Sequence, residues 1–250
     1  MNRFGPGKMR PLLSSACAVL FASLLTACAS QPVTMTDPEK DPWESYNRKM
    51  HAFNMGLDKA IFRPVAKGYD TIMPDAPQRG VRNFFRNLGY PVTFLNLLLQ
   101  GKFKDSLGAT GRFLVNSTVG LLGFFDVASR EGIPYYDEDF GQTLAVWGWK
   151  DSRYLVMPFF GPFTGRDVLG RSFYGYAHPL SYYARKEKIY WPIIVDLVTL
   201  RASLLLFDDD IENAHDPYAL IRDAYLQRRE FLIYDGDPPV PDYDALLEDY

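Results

Sequence analysis

Cysteine is almost missing from this chain of 250 residues, which holds only Cys17 and Cys28. Cys17 falls in an N-terminal apolar stretch read as a removable signal, so no pair is left to form a disulfide and packing alone must stabilise the mature protein. Histidine is nearly as scarce. His51 lies on an expected helix, while His178 and His215 sit just before Pro179 and the Asp216-Pro217 cap, so structural roles are expected for all three. Catalytic signatures are absent as well. There is no His-Glu-x-x-His pair, P-loop or dinucleotide fingerprint, and Gly170-Arg171-Ser172-Phe173-Tyr174-Gly175 misses the nucleophile-elbow spacing by one residue. No catalytic residue and no cofactor are assigned, leaving an unorthodox lipid hydrolase as the only enzymatic reading. Asp137-Glu138-Asp139 and Asp208 to Glu212 offer oxygen ligands without the EF-hand order, so solvated turns and caps explain them more simply and no metal site is assigned.

A basic excess is lacking too. Once Arg3, Lys8 and Arg10 leave with the signal, 24 basic residues face 30 acidic ones, which argues against nucleic acid as a partner. The acidic surplus lies in residues 235–250, where Asp235, Asp237, Asp242, Asp244, Glu248 and Asp249 alternate with prolines and no basic residue occurs. That stretch reads as a disordered acidic tail.

What is present begins at the N-terminus. Lys8 and Arg10 form a basic n-region, Pro11 to Leu25 an apolar h-region, and Leu25-Thr26-Ala27-Cys28 a lipobox. The apolar run is short for a retained membrane span, the weaker alternative. Residues 1–27 are therefore read as a lipoprotein signal peptide, Cys28 as the lipidation site, 28–40 as a tether, 41–234 as the folded domain and 235–250 as the tail. A lipid on Cys28 makes the chain membrane-anchored and periplasmic.

Asp41-Pro42-Trp43-Glu44 reads as an N-cap with proline at N1, opening a helix with the stripe Trp43, Tyr46, Met50, Phe53, Leu57 and ending at Arg63-Pro64. Short helices are expected near 64–72 and 77–88. On the second, Arg79, Arg82 and Arg86 lie opposite Val81, Phe84, Phe85 and Leu88. This is either a solvated face over a core or an interfacial helix whose arginines meet lipid phosphates. From Pro91 to Ala128 the chain is strongly apolar but interrupted by charges, so no uncharged piece reaches the roughly 20 residues of a spanning helix. Periodicity leaves open whether these pieces are a globular core or enter one leaflet, with Val92–Leu99 and Leu114–Phe125 the expected acyl contacts. Thr143–Trp147 and Arg153–Met157 around Gly148 suggest a hairpin-like loop. Thr164 with Asp167 is a capping box for the next helix, residues 192–207 form an apolar helix ending at Asp208-Asp209-Asp210, and Asp216-Pro217 opens the last helix.

Taken in order, the lipobox, Asp41-Pro42-Trp43-Glu44-Ser45-Tyr46-Asn47-Arg48, Arg63-Pro64-Val65-Ala66, Leu99-Gln100-Gly101, Arg112-Phe113-Leu114-Val115-Asn116-Ser117-Thr118, Phe140-Gly141-Gln142-Thr143-Leu144, Gly161-Pro162-Phe163-Thr164-Gly165-Arg166-Asp167 and Asp216-Pro217-Tyr218 resemble the MlaA (VacJ) lipoprotein family. The resemblance runs from Cys28 to about Phe231. It implies a mainly α, ring-like bundle of amphipathic and interfacial helices with one hairpin-like loop, embedded in the inner leaflet of the outer membrane. It further implies a non-enzymatic protein that removes misplaced phospholipids through an amphipathic channel, sits beside a porin trimer and serves a periplasmic phospholipid carrier. Gly141, Gly148, Trp149 and Tyr154 then fall on the channel's gating loop, although Gly148 closing a plain surface turn is the competing reading. A structural lipoprotein that scaffolds porins without moving lipid is the alternative function.

Overall fold

The computed structural model describes residues 39–239, all within one compact unit. Cys28, the signal peptide, most of the tether and most of the acidic tail lie outside the described residues.

The fold is mainly α-helical. Helix α1 spans Glu44–Leu57, but Asp41 does not cap it. Trp43 takes the N-cap position with no side-chain bond, and the Asp41 carboxylate is buried, accepting from Asn47 Nδ2 at 2.8 Å and from the Tyr218 hydroxyl. Two distant donors and the guanidinium of Arg222, 3.5 Å away, hold that charge more firmly than a helix end would. Nor does Arg63-Pro64 end the helix. A π-helical turn, Asp58–Phe62, leads directly into α2, Arg63–Ile72, with Pro64 in its first turn. The wider turn puts the Arg63 N–H on the carbonyl of Asp58, five residues back, which opens room for the proline ring and absorbs its missing donor.

Helix α3 runs unbroken over Asp75–Leu99, through Gly89 and Pro91, where a break was expected. Pro91 lies on the exposed side while Phe85, Tyr90, Val92, Asn96 and Leu97 are buried, so packing against α4, Phe103–Thr118, overrides the local penalty. A polar network adjoins this interface, between α4 and residues 126–133. Arg112 is 2% exposed and donates to Asp126 at 2.5 Å, Ser129 Oγ at 2.7 Å and the Ile133 carbonyl at 2.7 Å. Asn116 bonds Asp126 and the Ala128 N–H. Paired this way, a buried charge costs far less than an isolated one. A short helix, α5, covers Val127–Arg130.

The expected hairpin arm at Thr143–Val146 is instead helical. Helix α6, Phe140–Val146, starts where Asp139 accepts the Gln142 N–H at 2.9 Å. It ends in a Schellman motif: Gly148 has φ +110°, its N–H bonds Ala145 O, and the Trp149 N–H bonds Leu144 O. The hairpin is formed one strand later, by β1, Tyr154–Met157, antiparallel to β2, Gly161–Thr164, with Tyr154 opposite Thr164. Thr164 then caps α7, Gly165–Ala177, in a full capping box with Asp167, as its spacing predicts. Helices α8, Pro179–Glu187, and α9, Trp191–Ser203, follow. The acidic triplet does not stop the chain; after a 3₁₀ turn it forms the first turn of α10, Asp208–Glu212, where negative charge meets the positive helix end. Asp216 caps the last helix, α11, Pro217–Ile233, through the N–H groups of Tyr218 and Ala219.

The distribution of polarity is inverted. Buried residues include Asn47, Asn96, Arg112, Gln142, Thr143 and Arg166, whereas Phe103, Leu107, Val119, Leu121, Leu122, Phe160 and Leu206 are each more than 60% exposed. Scattered exposed apolar residues are ordinary, but a surface this rich in large ones beside so polar an interior is not that of a water-bathed monomer. Among the described residues no helix is long and apolar enough to cross a membrane.

Candidate functional site

Two cavities flank the hairpin, and Pro162 of β2 lines both. The first, of about 630 Å³, is walled by Met55, Phe62, Val156, Phe159, Phe207 and Ile221. Its rim carries an ion-pair lattice: Arg201 bridges Asp58 at 2.7 Å and Asp208 at 2.9 Å, and Arg63 bridges Asp208 at 2.8 Å and Glu212 at 2.6 Å. Of the acids between 208 and 212 that offered oxygen ligands, Asp208 and Glu212 are thus engaged by arginines.

The second cavity, of about 400 Å³, is polar and lies between α3, the segment 135–139, α7 and α11. Arg86 of α3 and Arg171 of α7 face it with Tyr90, Tyr135, Tyr174 and Tyr225. The Arg86 guanidinium lies 5.1 Å from the Tyr135 ring centre and that of Arg171 5.7 Å from the Tyr174 ring, within cation–π range. Neither arginine forms an ion pair among the described residues. Burial holds the tyrosine hydroxyls protonated: Tyr174 is pushed up to about 12, with Asp196 adding to the effect, and Tyr90, Tyr135 and Tyr225 are raised for the same first reason. With the Tyr225 hydroxyl given to Asp167, the cavity offers the neutral hydroxyls of Tyr90, Tyr135 and Tyr174 and two arginines without an ion pair among the described residues, groups suited to a phosphate diester, beside the protein-paired carboxylates of Asp137, Glu138, Asp139 and Asp167.

Its floor is a buried network. Arg229 of α11 donates to Asp139 at 2.6 and 3.1 Å and lies 2.6 Å from Asp167, which also accepts from Tyr225 at 2.6 Å. Burial pushes the Asp139 carboxyl up, but the hydrogen bond and charge of Arg229 outweigh that and hold it below the usual carboxylate range. Asp137 faces Arg228, and Glu138 bonds Gln100 and Lys102, so the acidic run 137–139 is also committed to protein partners.

Gly141 sits over this network. A Cβ there would lie 2.5 Å from Asp167 Oδ1 and 2.9 Å from Arg229 Nη2, and one at Gly170 would lie 2.7 Å from the Gly141 nitrogen. Both glycines let α6 and α7 touch. Gly148 has open space around it, and Trp149 is exposed. Tyr154 is fully buried, its ring 6.2 Å from Tyr218 and 6.1 Å from Tyr225. Of the three arginines on α3, only Arg86 reaches the polar cavity; Arg79 is exposed and Arg82 half-buried outside its lining. The α3 stripe was legible from its spacing. Tyr135, Arg171 and Arg229 were missed, because residues on a connection, α7 and α11 converge only in three dimensions.

An outward-facing apolar surface, no helix among the described residues long and apolar enough to cross a bilayer, and a polar cavity set beside an apolar one define a helical domain suited to contact with lipid. The family profile described as MlaA lipoprotein matches residues 39–232, and the chain belongs to that family. It is 34% identical to the intermembrane phospholipid transport system lipoprotein MlaA of Escherichia coli K12 over 234 residues, 90% of each chain. The protein of the same name in Haemophilus influenzae is 32% identical over 88% of this chain and 90% of its own. An uncharacterised protein of Rickettsia prowazekii is 40% identical over 76% of each. A solved structure, described as the structural basis for maintenance of bacterial outer membrane lipid asymmetry, matches with a TM-score of 0.68 at 32% identity, over 77% of this chain and 98% of that one.

Proposed function

We propose that this protein removes misplaced phospholipids from the outer leaflet of the outer membrane and passes them to a periplasmic carrier, maintaining lipid asymmetry. The observation that carries the reading is the pair of cavities sharing Pro162, one with Arg86, Arg171 and tyrosine hydroxyls, the other with apolar walls. A phospholipid needs both, a polar path for its headgroup and an apolar one for its tails. The names and descriptions of the relatives support the same cargo. In this reading Cys28 carries the lipid anchor, the apolar surface sits in the inner leaflet beside a porin trimer, and the chemistry is transfer without covalent catalysis. Arg86 contacts lipid phosphate inside the passage, with Arg79 and Arg82 meeting headgroups outside it. The loop from Gly141 to Tyr154 gates the passage, its mobile part being residues 148–152, since Gly141 and Tyr154 are packed and Trp147 and Arg153 are hydrogen-bonded to α3 and α7.

The test is outer-leaflet phospholipid measured in cells lacking the gene and in cells carrying Arg86→Ala with Arg171→Ala. Both should accumulate it, while the double variant stays abundant and correctly located. Wild-type levels in the deletion strain would reject the transport reading in favour of a scaffold.

A further inference from the structure

One side chain reaches the middle of the segment between α6 and β1. Arg166, the second residue of α7, is 3% exposed, and its Nη1 donates to the carbonyls of Trp149 at 2.6 Å and Lys150 at 2.9 Å. Its backbone N–H donates to Ser152 Oγ at 2.8 Å. The ends of the segment are tied elsewhere, Trp147 Nε1 donating to the Leu99 carbonyl at 2.9 Å and the Arg153 carbonyl accepting the Gly165 N–H at 3.0 Å. Between them little else covers the chain: Trp149 is exposed, and a Cβ on Gly148 would meet nothing within 4 Å.

Arg166 differs from the other deeply buried guanidiniums. Arg112 has Asp126, and Arg229 has Asp139 and Asp167, whereas Arg166 forms no ion pair among the described residues. The adjacent Asp167 is already engaged by Arg229, Tyr225 and Thr164. Two neutral carbonyls replace water only in part, and Arg166 Nε, like that of Arg112 and Arg229, has no partner among the described residues. A cavity of about 830 Å³, lined by Lys150, Ser152, Arg153, Arg166 and Arg229, opens beside it. Water has room to take over the guanidinium once the carbonyls leave. Closure therefore gains hydrogen bonds and loses hydration of a full charge, two opposing quantities of similar size, which is the condition for a two-state element.

We propose that Arg166 is the latch of the 148–152 loop, a positioning residue that holds the loop shut and whose unpaired charge keeps that state easy to leave. This rests on reading the loop as the gate of a lipid passage. It is tested by hydrogen exchange on the full lipoprotein in phospholipid nanodiscs, comparing wild type with Arg166→Met, which keeps an unbranched apolar stem of similar reach, and Arg166→Lys, whose point charge cannot span both carbonyls in a fixed fork. Exchange of amides 149–153 should rise about tenfold or more in Arg166→Met and less in Arg166→Lys, with α6, α7 and the strands at wild-type rates. Unchanged loop exchange would overturn the proposal, as would an equal rise across α7 and β1, the signature of a residue that only packs. Should Arg166→Met fail to accumulate, Arg166→Lys and Ser152→Ala carry the same comparison. Outer-leaflet phospholipid is measured on the same variants. A loosened loop with normal surface phospholipid would uphold the latch and reject the gate.

Discussion

Gly148 shows how much one residue's backbone angle decides. At φ +110° with open space around it, a valine there meets no neighbour and suffers backbone strain alone, roughly 1–3 kcal/mol. Gly148→Val should lower the melting temperature by a few degrees and shift the loop population several-fold, read as altered detergent sensitivity and surface phospholipid at normal protein level. If both readouts match wild type, the loop is only a connection. His178 is a second case. Burial, helped by the charge of Arg171, lowers it to about 4, so it is neutral in the fold while an unfolded histidine titrates near 6.5. Between those values acid protonates the unfolded chain preferentially, so stability falls as pH drops from about 6.5 to 4. His51, lowered chiefly by burial, acts in the same sense. A pH series of thermal unfolding should show a shallower acid limb in His178→Gln than in wild type.

Among the elements, two caps were readable, while the Asp41 cap and the breakers were not. The Thr164–Asp167 box and the Asp216-Pro217 start depend on residues within one turn, so their chemistry is visible in the sequence. Thr164→Ala should destabilise by about 1–2 kcal/mol, several degrees of melting temperature in a domain this size, and Thr164→Ser should restore most of it in thermal melts. Pro64 and Gly89 misled because local rules weigh a residue against its near neighbours alone, whereas a π turn rehouses the proline and the α3–α4 interface carries the helix through Gly89 and Pro91. The loop after α6 misled differently: Gly148 was rightly read as a turn glycine, but Asp139 capping α6 makes it a helix terminus and moves the hairpin to Tyr154–Thr164.

Across the whole molecule the apolar surface is the leading feature, and its parts are not equal. Val92 and Leu97 are 3% and 1% exposed, so the segment 92–99 is mostly interior. Leu114, Val119, Leu121, Leu122 and Phe125 face outward, Leu121 and Leu122 at positive φ on a turn flanked by Gly120 and Gly123. Single tryptophans placed at Leu121 or Leu122 in nanodiscs should be quenched by phospholipids brominated on the acyl chain, and one at Val92 should not. Equal quenching at all three sites would place the bilayer elsewhere.

From the sequence alone came what depends on near neighbours and on order along the chain. These are the helical class, the absence of a spanning segment, the start of α11, the capping box, the face carrying Arg86, and a run of motifs specific enough to point to the family. Only the tertiary structure decided which apolar residues turn outward, how Arg86, Arg171 and Arg229 divide between free and paired, and that Arg166 pins a loop 14 to 17 residues away in the chain. Periodicity says that a helix has two faces, but which face meets protein, lipid or a cavity is set by partners distant in sequence. Burial and charge pairing are properties of that assembled surface rather than of any single element.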